Sequence, residues 1–520
     1  MKRPRRVLTP GQMGAVDKAT IEAGIPGIVL MESAAQRVVE YLAERYAPLS
    51  SHSITVVCGK GNNGGDGLAI ARQLQSAFQP RALHVLLVAA PEELTGDAAQ
   101  NLVMLRASGL REQRIVSAAM RTSSLVIDAV LGTGLQGPAR GEAREAIHAI
   151  NGQFPLAEVI AVDIPSGLSG GSADIPGEYV RADATVTFTA PKMCHVLPPA
   201  SRKMGTLRVA GIGSAAELYE EDAAIRLGWI TPEFISPLFA PRAREGNKGS
   251  YGHVLIVAGS RGKAGAAAMA GMAALRAGAG LVTVAAPACI LDTVAVMCPE
   301  LMTEPLEETS SGGIAKGALD RVLELATART VTAMGPGMGT ADETRTLVDA
   351  VFHNLQRPLV VDADGLNCLA GTRWSGGKAP RVLTPHPGEM SRLTGRDVAA
   401  IQLDRVECAR ELATERGVCV VLKGEGTVIA WPDGEVWINP TGSPAMATGG
   451  TGDILTGLLA GLLAQASADA PRAIAGAVYL HGRAGELAAK QLGEQAVIAT
   501  DLLRYLAEGI RGITHVHNPL

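Results

Sequence analysis

Short apolar runs rich in Val and Ile alternate with stretches rich in Ala and Leu along the chain. The runs lie at 54–59, 83–90, 125–132, 158–167 and 184–192 in the first half, and at 253–260, 281–287, 331–337, 358–365 and 417–424 in the second. Near-continuous apolar strands separated by helices are typical of parallel sheets with both faces covered. The pattern therefore predicts an α/β fold with a doubly wound sheet in each half.

The length of the chain predicts two domains. It has 520 residues, and single hydrophobic cores stop growing beyond roughly 250–300 residues. The stretch that is weakest for regular structure covers 214–248 and contains an acidic segment at 217–222, three prolines and the polar run 242–248. We predict domains at 1–222 and 228–515.

Composition excludes several classes of protein. With 47% hydrophobic and 19% charged residues the chain is not intrinsically disordered. A net charge of −4 gives no general attraction to nucleic acid or to an anionic membrane, so we expect neither as a partner. No uncharged apolar run reaches the ~18 residues that would span a bilayer.

The cysteines and the N-terminus both favour a cytoplasmic protein. The seven cysteines are scattered and form no C-x-x-C, which indicates neither a zinc cluster nor a disulfide framework. The basic residues Lys2, Arg3, Arg5 and Arg6 precede a polar stretch rather than an apolar one, so we predict no signal peptide.

A glycine-rich loop at 59–67 follows the first strand and opens a helix. It reads G-x-G-x-x-G, which predicts phosphate binding at a helix N-terminus. The acidic residue that would bind a ribose about 20 residues later is missing, because the next strand ends in 88–90, Val-Ala-Ala. A tight structural turn is the alternative interpretation.

Polar residues also follow three later strands of the first half. Parallel strands bring their carboxyl ends to one edge of the sheet, where ligands bind. Asn63, Asp128 and Ser166 offer the hard oxygen ligands that suit a cation. Asp163 and Lys192 are candidate acid/base groups. Each could singly be a turn or cap residue, but their convergence favours a site.

The first half resembles the NAD(P)HX epimerase family, through LTPGQMGAVDKATIEAGIPGIVLMESAA, GNNGGDG and VDIPSGL. The resemblance implies a Rossmann-like sheet, a potassium site at Asn63, Asp128 and Ser166, and acid/base catalysis by Asp163, with Lys192 as the second candidate. It also implies which residues hold the hydrated nicotinamide nucleotide. They are Asn62, Asn63, Gly64, Gly65, Asp66, Gly132, Thr133, Gly134, Leu135, Gln136, Gly137, Pro138 and Asp163.

The second half contains the string G-G-T-G-D at 449–453, directly before an apolar helix. Successive glycines let backbone N–H groups turn inward, and the helix adds its positive N-terminal end. Such a turn stabilises negative charge on a transferring phosphoryl group. Asp453, at the helix start, should stay ionised and could accept a proton from a substrate hydroxyl. The alternative is a capping Asp in a glycine-rich loop.

Other strand ends of the second half carry polar groups as well. No G-x-x-x-x-G-K-[ST] occurs, so this is not a P-loop enzyme. Lys423 begins a Lys-Gly-Glu-Gly-Thr turn at 423–427 that suits a nucleotide phosphate, although a surface turn would look the same. His386 stands between two prolines, which hold it rigidly, and we predict that it contacts a ligand.

The second half resembles the ribokinase-like family and, within it, the ADP/ATP-dependent NAD(P)HX dehydratases. The matching strings are KGSYGHVLIVAGS, GPGMG, DADGLN, TPHPGEM, KGEGT and GGTGDIL. The resemblance implies a ribokinase-like sheet and contacts of Ala266, Gly337, His386 and Asp453 with the hydrated cofactor. It also implies an adenine nucleotide site formed by Lys423, Gly424, Glu425, Gly426, Thr427 and Gly452.

Both resemblances imply one damaged metabolite: NADHX or NADPHX, in which water has added across a nicotinamide double bond. The second half would transfer phosphate from ADP, with Mg²⁺, and eliminate it to restore NAD(P)H, while the first half would interconvert the two epimers. We expect a homo-oligomer. The alternatives are a ribokinase-like small-molecule kinase and, for the first half, a non-catalytic nucleotide-binding module.

Overall fold

A computed structural model describes residues 3–514, so Lys2 and residue 515, the end of the second expected domain, lie outside the described residues. The chain divides into two compact units. The first unit is Arg5–Ile225, and the second is Arg226–Leu520 together with Met1–Pro4.

The first unit contains a parallel sheet of seven strands. The strands of the unit are β1 Arg5–Arg6, β2 Ser53–Cys58, β3 Ala82–Leu87, β4 Glu112–Gln113, β5 Leu125–Ala129, β6 Glu158–Val162, β7 Ala184–Phe188 and β8 Thr206–Ala210. The sheet order is β4-β3-β2-β5-β6-β7-β8, and all pairs are parallel. The strand order reverses between β2 and β5, which is where doubly wound sheets open a ligand crevice.

Helices cover both faces of this sheet. They are α1 Pro10–Glu22, α2 Gly27–Tyr46, α3 Asn62–Ala77, α4 Gly96–Ala107, α5 Gly141–Gln153 and α6 Met193–Val196. Alternate strand residues enter different cores: Val56 packs with α2, α3 and α4, whereas Val57 packs with α5. This period of two, with apolar residues on both faces, explains why the strands read as continuous apolar runs.

The second unit contains a larger mixed sheet. Its strands are β9 Leu227–Trp229, β10 His253–Val257, β11 Leu281–Pro287, β12 Met302–Leu306, β13 Val331–Met334, β14 Leu359–Val361, β15 Arg381–Leu383, β16 Cys419–Leu422, β17 Val428–Ala430 and β18 Val436–Ile438. They lie in the order β9-β18-β17-β16-β15-β14-β13-β10-β11-β12. Only the β16–β17 and β17–β18 pairs within this order are antiparallel.

The helices of the second unit are α7 Pro232–Ile235, α8 Ala264–Arg276, α9 Leu291–Met297, α10 Leu319–Thr327, α11 Asp342–Asn354, α12 Asp364–Leu369, α13 Pro387–Thr394, α14 Val398–Leu403, α15 Arg405–Arg416, α16 Thr451–Gln465, α17 Ala470–Leu492 and α18 Ala499–Thr514. Helix α16 packs tightly on α8. A Cβ added at Gly457 would lie 2.1 Å from the Ala270 carbonyl oxygen, so only glycine permits this approach. This packing fixes the helix whose first turn carries Asp453.

The predicted α/β class with doubly wound parallel sheets is confirmed. Among residues 3–514 no single helix is long and apolar enough to cross a membrane. The segments Thr451–Gln465 and Ser467–Leu492 meet the limits of length and composition only as a pair, and they are bent by 108° relative to each other.

Candidate active sites

The first unit encloses a cavity of about 740 Å³ at the carboxyl ends of its strands. Its walls include the loops after β2 and β5, the start of α3, and Asp163 and Lys192. Many residues expected to hold the nucleotide line it, namely Asn62, Asn63, Asp66, Gly132, Thr133, Gly134, Leu135, Gln136 and Asp163. Gly64, Gly65, Gly137 and Pro138 do not line the cavity. The structure therefore brings most of the predicted set to one place.

Two glycines of the loop after β2 are required by packing. A Cβ added at Gly64 would lie 1.9 Å from the Gly59 carbonyl oxygen, and one added at Gly59 would lie 2.0 Å from that of Val130. The loop after β2 is thus a tight structural turn, as the alternative interpretation held. It also begins α3 at Asn62 on the cavity wall, so the two interpretations are compatible.

Asp163 and Lys192 form a buried ion pair at the cavity wall. Lys192 Nζ donates to Asp163 Oδ1 at 2.6 Å, to Thr187 Oγ1 at 2.8 Å and to the Phe188 carbonyl at 3.1 Å. Burial alone would raise the pKa of Asp163, but the charge and hydrogen bond of Lys192 outweigh it, so that pKa is lowered. Asp163 is therefore ionised at neutral pH.

His195 fixes the backbone on which this pair stands. Burial lowers the pKa of His195 to about 3, so the ring is neutral. Its Nδ1 accepts the Lys192 backbone N–H at 2.9 Å, and Nε2 donates to the Asp163 carbonyl at 3.0 Å. Asp163 has a left-handed φ of 66°, which few non-glycine residues adopt. Strain of this kind persists where the surroundings dictate it, which is common in active sites.

Asn63, Asp128 and Ser166 gather beneath the cavity. Ser166 donates through its hydroxyl to Asp128 Oδ1 at 2.6 Å and through its backbone N–H to Oδ2 at 2.8 Å. Asn63 donates to the Leu131 carbonyl at 2.9 Å, and its own Oδ1 is buried without a hydrogen-bond partner among the described residues. Burial raises the pKa of Asp128 to about 6. An orphaned amide oxygen beside a buried carboxylate and a hydroxyl fits a hard monovalent cation.

The second unit places a partly buried lysine among carboxylates at the ends of β14, β15 and β16. Lys423 Nζ lies 2.6 Å from Asp362 Oδ1 and 3.7 Å from Glu389 Oε2. Asp362 Oδ2 accepts the Thr456 hydroxyl at 2.8 Å. Burial alone would raise the pKa of Asp362, but Lys423 and these hydrogen bonds lower it. The lysine thus compensates an internal carboxylate at this edge of the sheet.

Asp453 lies beside this pair in the first turn of α16. Burial and the Asp362 charge raise the pKa of Asp453 to about 6, partly offset by Lys423. A pKa of about 6 is higher than that of a free aspartate, but it lies below neutral pH. Asp453 is mostly ionised at neutral pH, with a pKa close enough to exchange a proton with substrate.

The start of α16 has the form of an anion site. Gly450 has a left-handed φ of 96°, and Ile454 N–H is the donor that bonds to the Gly450 carbonyl. By helix geometry the N–H groups of the preceding turn have no intrahelical acceptor. A Cβ added at Gly452 would lie 3.5 Å from Lys423 Nζ, so the glycine turn and the lysine adjoin. His481 supports the turn, with Nε2 2.9 Å from the Thr451 carbonyl.

Three predicted substrate contacts surround the same edge. A Cβ added at Gly337 would lie 3.1 Å from Ala266 Cβ, so these two residues adjoin. His386 is half exposed and caps α13, where Nδ1 accepts the Gly388 N–H at 2.9 Å. Glu389 accepts the His386 backbone N–H at 2.8 Å and links this residue to the Lys423 cluster.

The remainder of the predicted adenine nucleotide turn behaves differently from Lys423. Gly424 and Glu425 are exposed, and Gly426 has a left-handed φ of 58°. Thr427 donates to the Gly424 carbonyl at 2.8 Å. Lys423 therefore faces the carboxylates, while Gly424 and Glu425 face solvent and Gly426 and Thr427 are half-buried.

Several residues in these sites were not predicted from the sequence. Thr187, His195, Asp362, Glu389 and Thr456 form hydrogen bonds or ion pairs inside the clusters. Asp362 ends an apolar strand, and Glu389 follows His386 at helical spacing, so both carried a usable signal. Thr187 and Thr456 lie within an apolar strand and an apolar helix, where nothing in the sequence separates them from core residues.

Comparison with known families covers both units. The profile described as NAD(P)H-hydrate dehydratase matches residues 254–508, and the one described as YjeF-related protein N-terminus matches residues 27–194. A solved ADP/ATP-dependent NAD(P)H-hydrate dehydratase from Bacillus subtilis, co-crystallised with ATP/Mg²⁺, is 33% identical. The match covers 54% of this chain and 97% of that one, with a TM-score of 0.48.

Curated relatives match over nearly the full length. The bifunctional NAD(P)H-hydrate repair enzyme of Moorella thermoacetica is 43% identical over 98% of this chain and 97% of its own length. The enzyme of that name from Escherichia coli is 34% identical over 87% of this chain and 84% of its own. The resemblances predicted for both halves are thus confirmed, and the chain belongs to the family of bifunctional NAD(P)H-hydrate repair enzymes.

Proposed function

We propose that the chain repairs NADHX and NADPHX with two active sites. The domain expected at 1–222 interconverts the R and S epimers. The domain expected at 228–515 dehydrates the S epimer to NAD(P)H, consuming ADP and releasing AMP and phosphate. The membership of the chain in the repair enzyme family supports both activities.

One observation carries the dehydratase assignment: the Asp453 carboxylate stands at an anion-binding helix start beside Lys423. Asp453 accepts the proton of the substrate hydroxyl, whose oxygen then bonds to the terminal phosphorus of ADP as AMP departs. The C–O bond of the resulting phosphate ester then breaks, inorganic phosphate leaves with the electron pair, and loss of the neighbouring ring proton restores the double bond. The N–H groups of the glycine turn stabilise the transferring phosphoryl group.

The same domain gives Mg²⁺ a limited role. Among residues 3–514 no group of three or more His, Cys, Asp or Glu side chains is arranged to hold a metal ion. Mg²⁺ usually keeps several waters and is bound through substrate phosphates rather than by an all-protein cage. We propose that it enters with ADP and neutralises phosphate charge. Lys423 and the turn at 424–427 hold the nucleotide, with Gly452 adjoining Lys423.

In the first domain Asp163 is the proton acceptor. Lys192 keeps it ionised and in place, and its position on the cavity wall gives it access to a bound nicotinamide ring. Asn63, Asp128 and Ser166 would hold K⁺, which would supply fixed positive charge beneath the nucleotide. The protein is proposed to be a cytoplasmic homo-oligomer. Its seven cysteines are all free thiols, as suits a reducing compartment.

An assay with a mixture of NADHX epimers tests the function. We expect NADH to form only when ADP and Mg²⁺ are added, with one AMP and one phosphate released per NADH. A small-molecule kinase would instead release a stable phosphorylated alcohol and no NADH. A first domain that only binds nucleotide would leave the R epimer to react at its spontaneous rate.

A further inference from the structure

We infer that Asp17 is a second catalytic carboxyl of the first unit, acting on the substrate together with Asp163. The inference rests on the proposed epimerase function and adds a residue that sequence reasoning did not select. Asp17 lies on α1 rather than at the end of an apolar strand, so its position in the sequence does not mark it as a site residue.

The position of α1 directs Asp17 into the cavity. The helix begins with a capping box in which Thr9 accepts the Gln12 N–H and Gln12 accepts the Thr9 N–H. Met13, Asp17 and Ile21 line the cavity at a spacing of four residues, which places them on one helix face. Asp17 is therefore the polar group of a face that is otherwise apolar.

Asp17 lines the cavity, and one oxygen of its carboxyl is left without a hydrogen bond in the described part of the chain. Its Oδ1 is inaccessible to solvent and has no hydrogen bond among the described residues. The cation whose charge acts on this carboxyl is Lys192, and its three ammonium protons already bond to Asp163, Thr187 and Phe188. A buried carboxyl oxygen without a donor is costly when the group is charged, so this environment favours the protonated acid that the proposal requires.

Charge separates the roles of the two carboxyls. Burial raises the pKa of Asp17 more than the charge of Lys192 lowers it, and Asp163 adds a smaller increase, whereas the pKa of Asp163 is lowered. Asp66 also faces this group, and its pKa is raised well above the ordinary value, first by burial. His195 stays neutral. Pairs of carboxyls whose pKa values are driven apart are suited to an acid and a base role.

The chemistry of epimerisation needs both roles. In the first step Asp17 gives its proton to the ring hydroxyl, the C–O bond breaks, water leaves, and the ring nitrogen lone pair forms a C=N bond. In the second step water adds to the opposite face, the C=N electrons return to nitrogen, and Asp163 accepts the surplus proton. That proton comes from a strongly acidic oxonium, so a carboxylate of lowered pKa is basic enough. Proton exchange with solvent then restores both groups.

The Asp17→Asn variant tests this role, because an amide keeps the size of the carboxyl but cannot supply a proton. We expect epimerisation to fall by about 10²–10⁴-fold in kcat, the usual contribution of a general acid. Binding of NADP⁺ and the denaturation midpoint should change little. Glu22→Gln, an exposed carboxyl on the same helix, is the matched control and should keep full activity.

The pH dependence of the rate and a second variant also test the role of Asp17. The wild-type rate should fall as pH rises through the pKa of Asp17, because the acid form is required, and residual activity of Asp17→Asn should lack this limb. Asp17→Ser replaces the Asn variant if the latter does not fold. A loss of less than about tenfold in a folded variant would overturn the role of Asp17. If Asp163→Asn is inactive in the same assay, the epimerase function stands regardless.

Discussion

Lys423 and Asp362 form an ion pair of 2.6 Å in which the Asp362 side chain is almost completely buried and the Lys423 side chain is 20% exposed. The pair joins β16 to β14 and borders the glycine turn of α16. It therefore belongs both to the core of the second unit and to its proposed active site.

Removing the lysine should destabilise the protein. Lys423→Met leaves Asp362 buried without its cation, which costs about 3–5 kcal/mol of unfolding free energy when a buried pair loses one partner. Lys263→Met is the matched control, because its 3.2 Å pair with Asp364 is half exposed and should contribute about 1 kcal/mol or less. Urea denaturation of both variants measures the difference, and equal losses would contradict it.

The dehydratase should lose activity in mild acid. Asp453 must be ionised to accept a proton, and its pKa is raised to about 6, so kcat/KM should fall as pH drops through about 6. Asp362→Asn removes a charge that raises the Asp453 pKa, so the acid limb should move to lower pH. The limb is measured from initial rates of NADH formation. If the acid limb stays at the same pH in Asp362→Asn, the Asp362 charge does not contribute to the pKa of Asp453.

Gly337 should be intolerant of a side chain for a reason that Gly339 does not share. Both have a left-handed φ, so Ala at either position costs about 1–2 kcal/mol of backbone strain. A Cβ at Gly337 would also lie 3.0 Å from Lys263 Cβ, whereas one at Gly339 would meet nothing within 4 Å. We expect Gly337→Ala alone to raise the KM for NADHX. Matching KM values for the two variants would argue against a substrate contact at Gly337.

Epimerisation should depend on a small monovalent cation. Replacing K⁺ by tetramethylammonium should slow the epimerase, because the unpartnered Asn63 Oδ1 and the buried Ser166 hydroxyl are oxygen ligands that suit a small bare ion and not an alkylated one. Ser166→Ala should remove most of the response to K⁺, whereas Ser123→Ala, a buried serine bonded to Thr55, should retain it. If the wild-type rate is the same with either cation, the cluster of Asn63, Asp128 and Ser166 has only a structural role.

The fold could be predicted from the sequence because parallel strands that are covered on both faces are apolar along their whole length. Val56 and Val57 enter different cores, and that is visible as an unbroken apolar run. The strands at 206–210 and 302–306 were not predicted. They contain exposed or half-buried residues, as edge strands do, so they lack the continuous apolar pattern.

The sites were predicted where a polar residue ends an apolar strand or opens a helix. Asp163, Lys192, Lys423 and Asp453 all belong to this class. Asp17 and Thr456 do not, because their roles arise from helices that tertiary packing brings to the strand ends. The raised pKa of Asp453 is likewise a property of burial beside Asp362, which no local sequence pattern contains.

The most direct test of two sequential activities is a progress curve of NADH formation from mixed NADHX epimers with excess ADP. Wild-type protein should convert the whole mixture, Asp163→Asn should convert the S epimer and then slow to the spontaneous epimerisation rate, and Asp453→Asn should form almost no NADH while still binding ADP. Full conversion at the wild-type rate by either variant would contradict the assignment of that residue and its site.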